Sequence, residues 1–366
     1  MLALNRGSST IKFGLFTFEA QPRVLCRGTI DASDRQTAAF ARVLERLAQQ
    51  LRESRLTAVA HRLVHGGSEL HEPEVVNDEL VAVLEGLVHL APNHMPDEIA
   101  LVREAREVRP DVPQVVCFDT GFHRDLPEIA SRLPIHDEFA SRGVRRYGFH
   151  GLSYTFLMDA LRERAAGSPI HRVILAHLGN GSSLAAVRDG RAIDTTMGFT
   201  PIGGVVMSTR TGDLDPGVVT QIARLHGWSA DRLEDELSHR SGLAALSGGA
   251  SDMRGLLERE ASDERSRLAV AIYCYEIKKR IGAYAAALGG VDALVFSGGI
   301  GEHAAPVRSK ICAGLGFLGI EMDETANAAN LPLVSSATSP VAVHVVGTDE
   351  EVVMARAAYR VLHKRA

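Results

Sequence analysis

The chain has few cysteines, four in 366 residues, and Cys26, Cys117, Cys274 and Cys312 lie too far apart for a C-x-x-C pair or any metal-ligand spacing. That excludes a disulfide framework and a zinc knuckle, and reads as the reduced thiols of a cytoplasmic protein. Long basic runs are absent too. Lys plus Arg is 40 against 45 Asp plus Glu, a net of −5, with the positive residues scattered. This argues against a nucleic-acid or anionic-membrane surface. No apolar run approaches the roughly 18 to 20 residues of a membrane helix. The start, MLALNRGSST, turns polar at Asn5, too early for a signal peptide. With no H-E-x-x-H a zinc site is not expected, and with no G-x-x-x-x-G-K-[ST] any nucleotide site is not a P-loop.

What is present fits an enzyme with a sizeable core: 45% hydrophobic and 23% charged residues, with 34 Gly and 14 Pro. The length is that of two domains, or three. Met1–Leu4 and Lys12–Phe18 flank Gly7-Ser8-Ser9 and predict a β-hairpin. Val24–Ile30, Thr57–Val64 and Pro113–Phe118 read as further strands, and Asn77–Leu90 and Asp97–Val108 as helices opened by Asn and Asp caps. A second series follows the Arg-rich stretch 141–146: strands at Arg172–His177, Ser183–Val187 and Ala192–Thr195, with a tight turn at Asp189-Gly190. Leu214–Leu288 is mostly helical, with a long run from Glu264. Strand Ala293–Phe296, a Gly-rich turn, a helix from about Ala305, strand Val341–Val346 and a helix Asp349–His363 complete an α/β pattern.

One echo organises the whole. Leu4-Asn5-Arg6-Gly7-Ser8-Ser9 and Leu178-Gly179-Asn180-Gly181-Ser182-Ser183 share L-x-x-G-S-S, and both lie between strands. This suggests two versions of one strand-turn-strand unit, or two ordinary Gly-Ser turns. Glycine lets a backbone approach an anion, and consecutive N–H groups cradle phosphate oxygens. Lys12 adds a point charge suited to phosphate, or is a solvated strand residue. Phe296-Ser297-Gly298-Gly299-Ile300-Gly301-Glu302-His303 fits a nucleotide-binding turn. Its Gly299-x-Gly301-x-x-Ala304 spacing also matches, superficially, a dinucleotide fingerprint. Arg62, in HRLVHGG, and Arg210, in STRTGDLDP, have planar guanidinium groups able to grip carboxylate or phosphate, or to form structural ion pairs. His150 reads as a donor near an anion or a structural histidine, Asp119 as a strand-end carboxylate, and Glu350 as a metal ligand or a complement to its helix dipole.

These residues resemble the acetate kinase family. Asn5-Arg6-Gly7-Ser8-Ser9-Thr10-Ile11-Lys12 matches its N-x-G-S-[ST]-[ST]-x-K signature and HRLVHGG at 61–67 its second. FDTGFH from 118, RRYGFHG from 145, HLGNGSS from 177, DTTMGFTPIGGVVMSTRTGDLDPG from 194, SDMRG from 251, FSGGIGEH from 296 and TDEE from 348 follow in family order. The resemblance implies two duplicated α/β domains of the acetate and sugar kinase, heat-shock chaperone and actin superfamily, with nucleotide in the interdomain cleft. The expected division is 1–122 plus 352–366 around 123–351, in a homodimer.

It further implies an ATP- and Mg²⁺-dependent kinase, Mn²⁺ able to substitute, that forms acetyl phosphate and ADP reversibly. Propionate or another short carboxylate is the alternative substrate. A non-catalytic ATP-binding relative and an NAD-dependent oxidoreductase are the remote ones. By the resemblance, Asn5 and Glu350 would hold Mg²⁺ and Lys12 would reach the nucleotide phosphates. Arg62 and Arg210 would bind the acyl substrate and stabilise the transferring phosphoryl, assisted by His150, and Asp119 would organise Mg²⁺ or Arg62. His177, Leu178, Gly179, Asn180, Gly181, Asp252, Met253, Arg254, Gly299, Ile300, Gly301, Glu302 and His303 would contact ATP. Val64, Phe149 and Pro201 keep apolar wall positions of the acyl pocket. In the adjoining loop with His94, Asn93 stands where the family has Leu and Met95 where it has Asn, so a polar group is expected in that wall. Gly203, Ser208 and His303 also depart from the family's usual acidic, glycine and asparagine residues.

Overall fold

The computed structural model describes residues 1–7, 10–32, 38–53, 55–164 and 170–364. The chain forms two units: Met1–Arg124 with Phe149–Phe156 and Asp349–Ala366, and Asp125–Gly148 with Leu157–Thr348.

In the first unit β1 (Leu2–Arg6) turns at Gly7 into β2 (Thr10–Phe16), antiparallel, with Leu4 opposite Phe13 and Asn5 opposite Lys12. Ser8 and Ser9 of the expected phosphate turn lie outside the described residues. β3 (Val24–Asp31) pairs antiparallel with β2, and β4 (Val59–Leu63) parallel with β1. The two-residue β5 (Glu74–Val75) pairs antiparallel with β6 (Gln114–Phe118), which runs parallel to β4. The sheet order is β3-β2-β1-β4-β6-β5.

Strand alternation gives this sheet two dry faces. Leu2, Leu4, Phe13 and Leu15 meet Phe40 and Val43 of helix Ala39–Arg46 and Leu101 of helix Met95–Val108. Ala3, Phe16, Ala60 and Cys117 meet Val353, Met354 and Ala357 of helix Glu350–His363. Each Leu or Phe so buried contributes roughly 1.5–3 kcal/mol.

The second unit repeats the plan. β7 (Arg172–Leu178), β8 (Ser182–Arg188) and β9 (Arg191–Thr195) form an antiparallel meander. β10 (Ala293–Ser297) adds parallel to β7 and β11 (Ala342–Val345) parallel to β10, giving β11-β10-β7-β8-β9. The strands β9-β8-β7-β10-β11 repeat β3-β2-β1-β4-β6 in order and direction, so the fold is a duplicated α/β unit and the L-x-x-G-S-S echo marks equivalent hairpins. Asp189 and Gly190 form the β8–β9 turn with φ of +50° and +79°, the pair of positive angles a two-residue hairpin turn requires. Helix Glu264–Leu288 packs Tyr273, Ile277 and Ile281 into this unit's core.

Local readings shift where tertiary packing decides. The helix expected from Asp97 starts at Met95, with His94 at its N-cap position and Asp97 in its first turn. The helix from Asn77 stops at Gly86 and is followed by a 3-10 turn at Val88–Leu90. The Gly-rich turn after β10 is a short helix, Gly298–His303. Phe149–Phe156, expected in the second domain, belongs to the first unit, where Leu152 and Phe156 pack beside Ala60 and Cys117. Among the described residues no helix is long and apolar enough to cross a membrane.

Candidate active site

The first unit's polar residues gather at the C-terminal ends of its parallel strands. Arg62 stands near the end of β4, and Asp119 follows β6 directly. Asp119 Oδ2 accepts from Arg62 Nε at 3.0 Å and Nη2 at 2.5 Å. The remaining amino group, Nη1, lies 3.5 Å from both the Asn5 Oδ1 and the Arg6 carbonyl. Burial alone would lower the Arg62 pKa, but Asp119, Glu350 and Glu98 outweigh it and keep the guanidinium charged. Asn5, at the end of β1, donates from Nδ2 to Glu350 Oε2 at 2.6 Å, and Lys12 is exposed on the strand opposite Asn5. Glu350 opens its helix beside Asp349, whose side chain caps Val352 N at 3.0 Å.

Glycine sets one close approach. A Cβ on Gly151 would stand 2.0 Å from the Asp119 carbonyl and 2.9 Å from Phe122 Cβ. The turn carrying Phe149 and His150 therefore packs directly on the residues after β6. His150 itself adopts φ +60°, a strained conformation for a residue with a Cβ, and its carbonyl accepts from Tyr154 N at 3.0 Å. Phe149 is buried edge-on against His65, ring centroids 5.6 Å apart, and its carbonyl accepts from His123 Nε2 at 3.0 Å. Burial holds His65 and His123 neutral, each lowered to about 4. Val64 is buried nearby in sequence, and His94 is half-buried. Asn93 is exposed, so it does not carry the desolvation cost expected of a polar group in a dry wall.

These donors fit a divalent cation. Three carboxylates, Glu98, Asp119 and Glu350, act on the single guanidinium of Arg62, which leaves two excess negative charges when all are ionised. Asp119 Oδ1 is buried without a hydrogen-bond partner. Burial raises Glu350 to about 7, only partly offset by Arg62, as expected of a carboxylate short of positive charge. All these donors are oxygens. Mg²⁺ is typically held by one or two carboxylates plus water and substrate phosphates, without a complete protein cage. Among the described residues no group of three or more His, Cys, Asp or Glu forms such a cage.

The second unit assembles a glycine-lined cluster. After His177 and the buried Leu178, Gly179 N donates to the Gly181 carbonyl at 3.0 Å and Ser182 Oγ to the Gly179 carbonyl at 3.0 Å. Ser208 N donates to the carbonyl of the exposed Asn180 at 3.2 Å. Gly298 has φ +75°, and a Cβ there would stand 2.6 Å from the Leu178 carbonyl. Only glycine lets the β10 turn approach the β7–β8 turn in this way. His177–Gly181 and Gly298–Gly301 are thereby neighbours.

The buried Arg308 donates to the carbonyls of Gly301 at 2.8 Å and Glu302 at 3.1 Å, fastening the short helix from behind. Glu302 is committed to protein backbone, its Oε1 accepting from Gly298 N at 3.0 Å and Thr348 N at 3.4 Å. Ile300 is half-buried against the core, and His303 is exposed. Of the other residues expected to meet nucleotide, Asp252 caps a helix through Gly255 N at 3.0 Å, Met253 is buried in the core and Arg254 is exposed. Arg210 is half-buried, its Nη1 donating to the Pro201 carbonyl at 3.2 Å, so two residues expected at the acyl site touch each other.

Sequence reasoning passed over Glu98. It is buried in the first turn of helix Met95–Val108, where an acidic residue reads simply as a complement to the helix dipole.

The Acetokinase family model matches residues 29–356. An acetate kinase of Rhizobium meliloti is 41% identical over 382 residues, covering 97% of this chain and 96% of that protein. The crystal structure of Porphyromonas gingivalis acetate kinase superposes with a TM-score of 0.89 at 34% identity, covering 99% of both chains. A propionate kinase from Francisella tularensis subsp. tularensis SCHU S4 gives 0.89 at 31% identity, covering 97% of this chain and 98% of the other.

Proposed function

The chain belongs to the acetokinase family, and from that premise we propose that it transfers the γ-phosphoryl group of ATP reversibly to the carboxylate of acetate, giving acetyl phosphate and ADP. The structural observation that carries the proposal is the Arg62–Asp119 pair set among buried oxygen donors at the strand ends of the first unit.

An acetate oxygen attacks the γ-phosphorus in line as the bond to the β-phosphate oxygen breaks, and the electron pair leaves with ADP. The acid is already ionised at neutral pH, so no general base is needed, and catalysis rests on positioning and charge neutralisation. Asp119 accordingly acts on Arg62, holding its guanidinium so that the other face is offered to substrate oxygens. Arg62 would stabilise the transferring phosphoryl group, and the family resemblance assigns Arg210, in the other unit, the same role. His150 donates to the same developing charge.

Glu350, Asn5 and Asp119 Oδ1 would hold Mg²⁺, or Mn²⁺ in its place. When bound, the cation neutralises charge on the phosphate oxygens. Lys12, the glycine cluster 177–181 and 299–301, His303 and Arg254 form the nucleotide side of the proposal, with Asp252, Met253 and Glu302 as its supports. Val64, Phe149, Pro201, Asn93 and His94 form the acid side. A cytoplasmic homodimer belongs to the same reading, on the family resemblance alone.

The similarity to a propionate kinase makes propionate the competing acid. Trapping the acyl phosphate with hydroxylamine, with ATP, Mg²⁺ and acetate, propionate, butyrate or a hydroxy acid in turn, decides between them. Acetate is expected to give the highest kcat/KM. A preference of more than about tenfold for a longer acid would transfer the assignment to that acid. Absence of product with every acid would overturn the kinase reading.

A further inference from the structure

Glu98 is a buried carboxylate without a role in the mechanism above. Its Oε2 accepts from Val64 N at 2.9 Å, and its Oε1 lies 3.7 Å from Arg62 Nη1 with no hydrogen-bond partner. The residue before it is used similarly: Asp97 Oδ2 is 3.5 Å from Arg6 Nη2, and the Arg6 carbonyl faces Arg62 Nη1. The first turn of helix Met95–Val108 thus reaches the ends of two neighbouring strands, β1 through Asp97 and β4 through Glu98. Val64 and Arg62 are two residues apart on one chain segment. A single carboxylate that grips the main chain of one and faces the guanidinium of the other fixes the distance between a pocket wall and a substrate-binding charge.

We propose that Glu98 is a positioning residue for the acid substrate, acting through the Val64 main chain and, more weakly, through Arg62. The inference rests on the carboxylate kinase reading. Asp119 already anchors Arg62 through two hydrogen bonds, so the Val64 contact is the larger part of the role.

Two variants of the full chain separate hydrogen bond from charge. Glu98→Gln keeps an acceptor oxygen at the same reach but cannot ionise, and Glu98→Asp keeps an ionisable carboxyl but is one methylene too short for Val64 N. Steady-state assays with ATP, Mg²⁺ and acetate should show KM for acetate raised about tenfold in Glu98→Asp and within about threefold of the parent in Glu98→Gln, with KM for ATP within about twofold in both. Hydrogen exchange at the Val64 amide, which needs no turnover, should speed up in Glu98→Asp and stay slow in Glu98→Gln. An unchanged acetate KM in Glu98→Asp, a parallel rise in KM for ATP, or equal impairment of both variants would overturn the proposal. Should the parent itself form no acyl phosphate, the kinase reading fails, and exchange alone judges Glu98: equal protection of the Val64 amide in all three proteins would refute the contact.

Discussion

Arg62 and Asp119 meet through one oxygen: Asp119 Oδ2 receives both Nε and Nη2, while Oδ1 is buried with no partner. Asp119→Asn preserves shape but replaces an ionic acceptor with a neutral amide, so the guanidinium loses its charged anchor. The expected result is a fall in kcat of about 100-fold, with the fold retained by circular dichroism and thermal melting. A kcat near that of the parent would show that Arg62 finds its position without Asp119.

In its proposed role as a metal ligand, Glu350 would make cation binding pH-dependent. Its pKa is raised to about 7 by burial, so the metal-free native state holds the proton more tightly than the unfolded chain does. Its contribution to stability is full below its ordinary pKa of 4.5 and is lost as pH rises through about 7. Binding a cation requires the ionised form, so affinity for Mn²⁺ in the presence of ADP should rise about tenfold between about pH 6 and pH 8. Glu350→Gln should reduce that slope to the part ADP itself contributes, weaken binding at every pH, and make the metal-free protein more stable than the parent above about pH 7. Equilibrium titration and pH-resolved denaturation check both. Equal slopes in parent and variant would remove Glu350 from the site.

Gly151→Ala tests the packing of the His150 turn on Asp119. The added methyl would lie 2.0 Å from a backbone oxygen, so a cost of roughly 1–3 kcal/mol in stability and a lower kcat are expected. Gly282, inside helix Glu264–Leu288 with nothing within 4 Å of an added Cβ, is the control. Gly282→Ala should stabilise by roughly 0.5–1 kcal/mol and leave kcat unchanged. Urea denaturation with parallel assays measures both, and equal effects would refute the close approach.

Much of this architecture is legible in the sequence because local chemistry and tertiary context agree. Short apolar runs mark the hairpin strands, which are buried almost continuously in β1, β7 and β8, Asp189-Gly190 supplies the positive φ angles of its turn, and Asn77 caps its helix through Leu80 N at 2.7 Å. The repeated L-x-x-G-S-S foretells the repeated strand order. Failures occur where one residue type serves two local purposes. Asp97 reads as a cap but sits in the first helical turn paired with Arg6, because the chain enters the helix through His94. β5 exists because two residues find the free edge of β6, which no local pattern announces.

At the site, motifs locate Arg62, Asp119, Asn5 and Glu350, which the fold brings together. The same motifs do not distinguish ligand-facing residues from their supports: Met253 is core, and Asp252 and Glu302 cap backbone groups. Glu98 was illegible because its partner Val64 lies 34 residues away on another element.

Under the proposed mechanism Arg62 and Arg210 would both stabilise the migrating phosphoryl group. A double-mutant cycle in kcat, read by acyl phosphate trapping with ATP, Mg²⁺ and acetate, tests it most directly. Arg62→Ala and Arg210→Ala should each lower kcat by at least about 100-fold, and the double variant should fall far short of the product of the two losses, as for groups that act as a unit. Losses that multiply fully, or a kcat within about threefold of the parent in either single variant, would contradict the account.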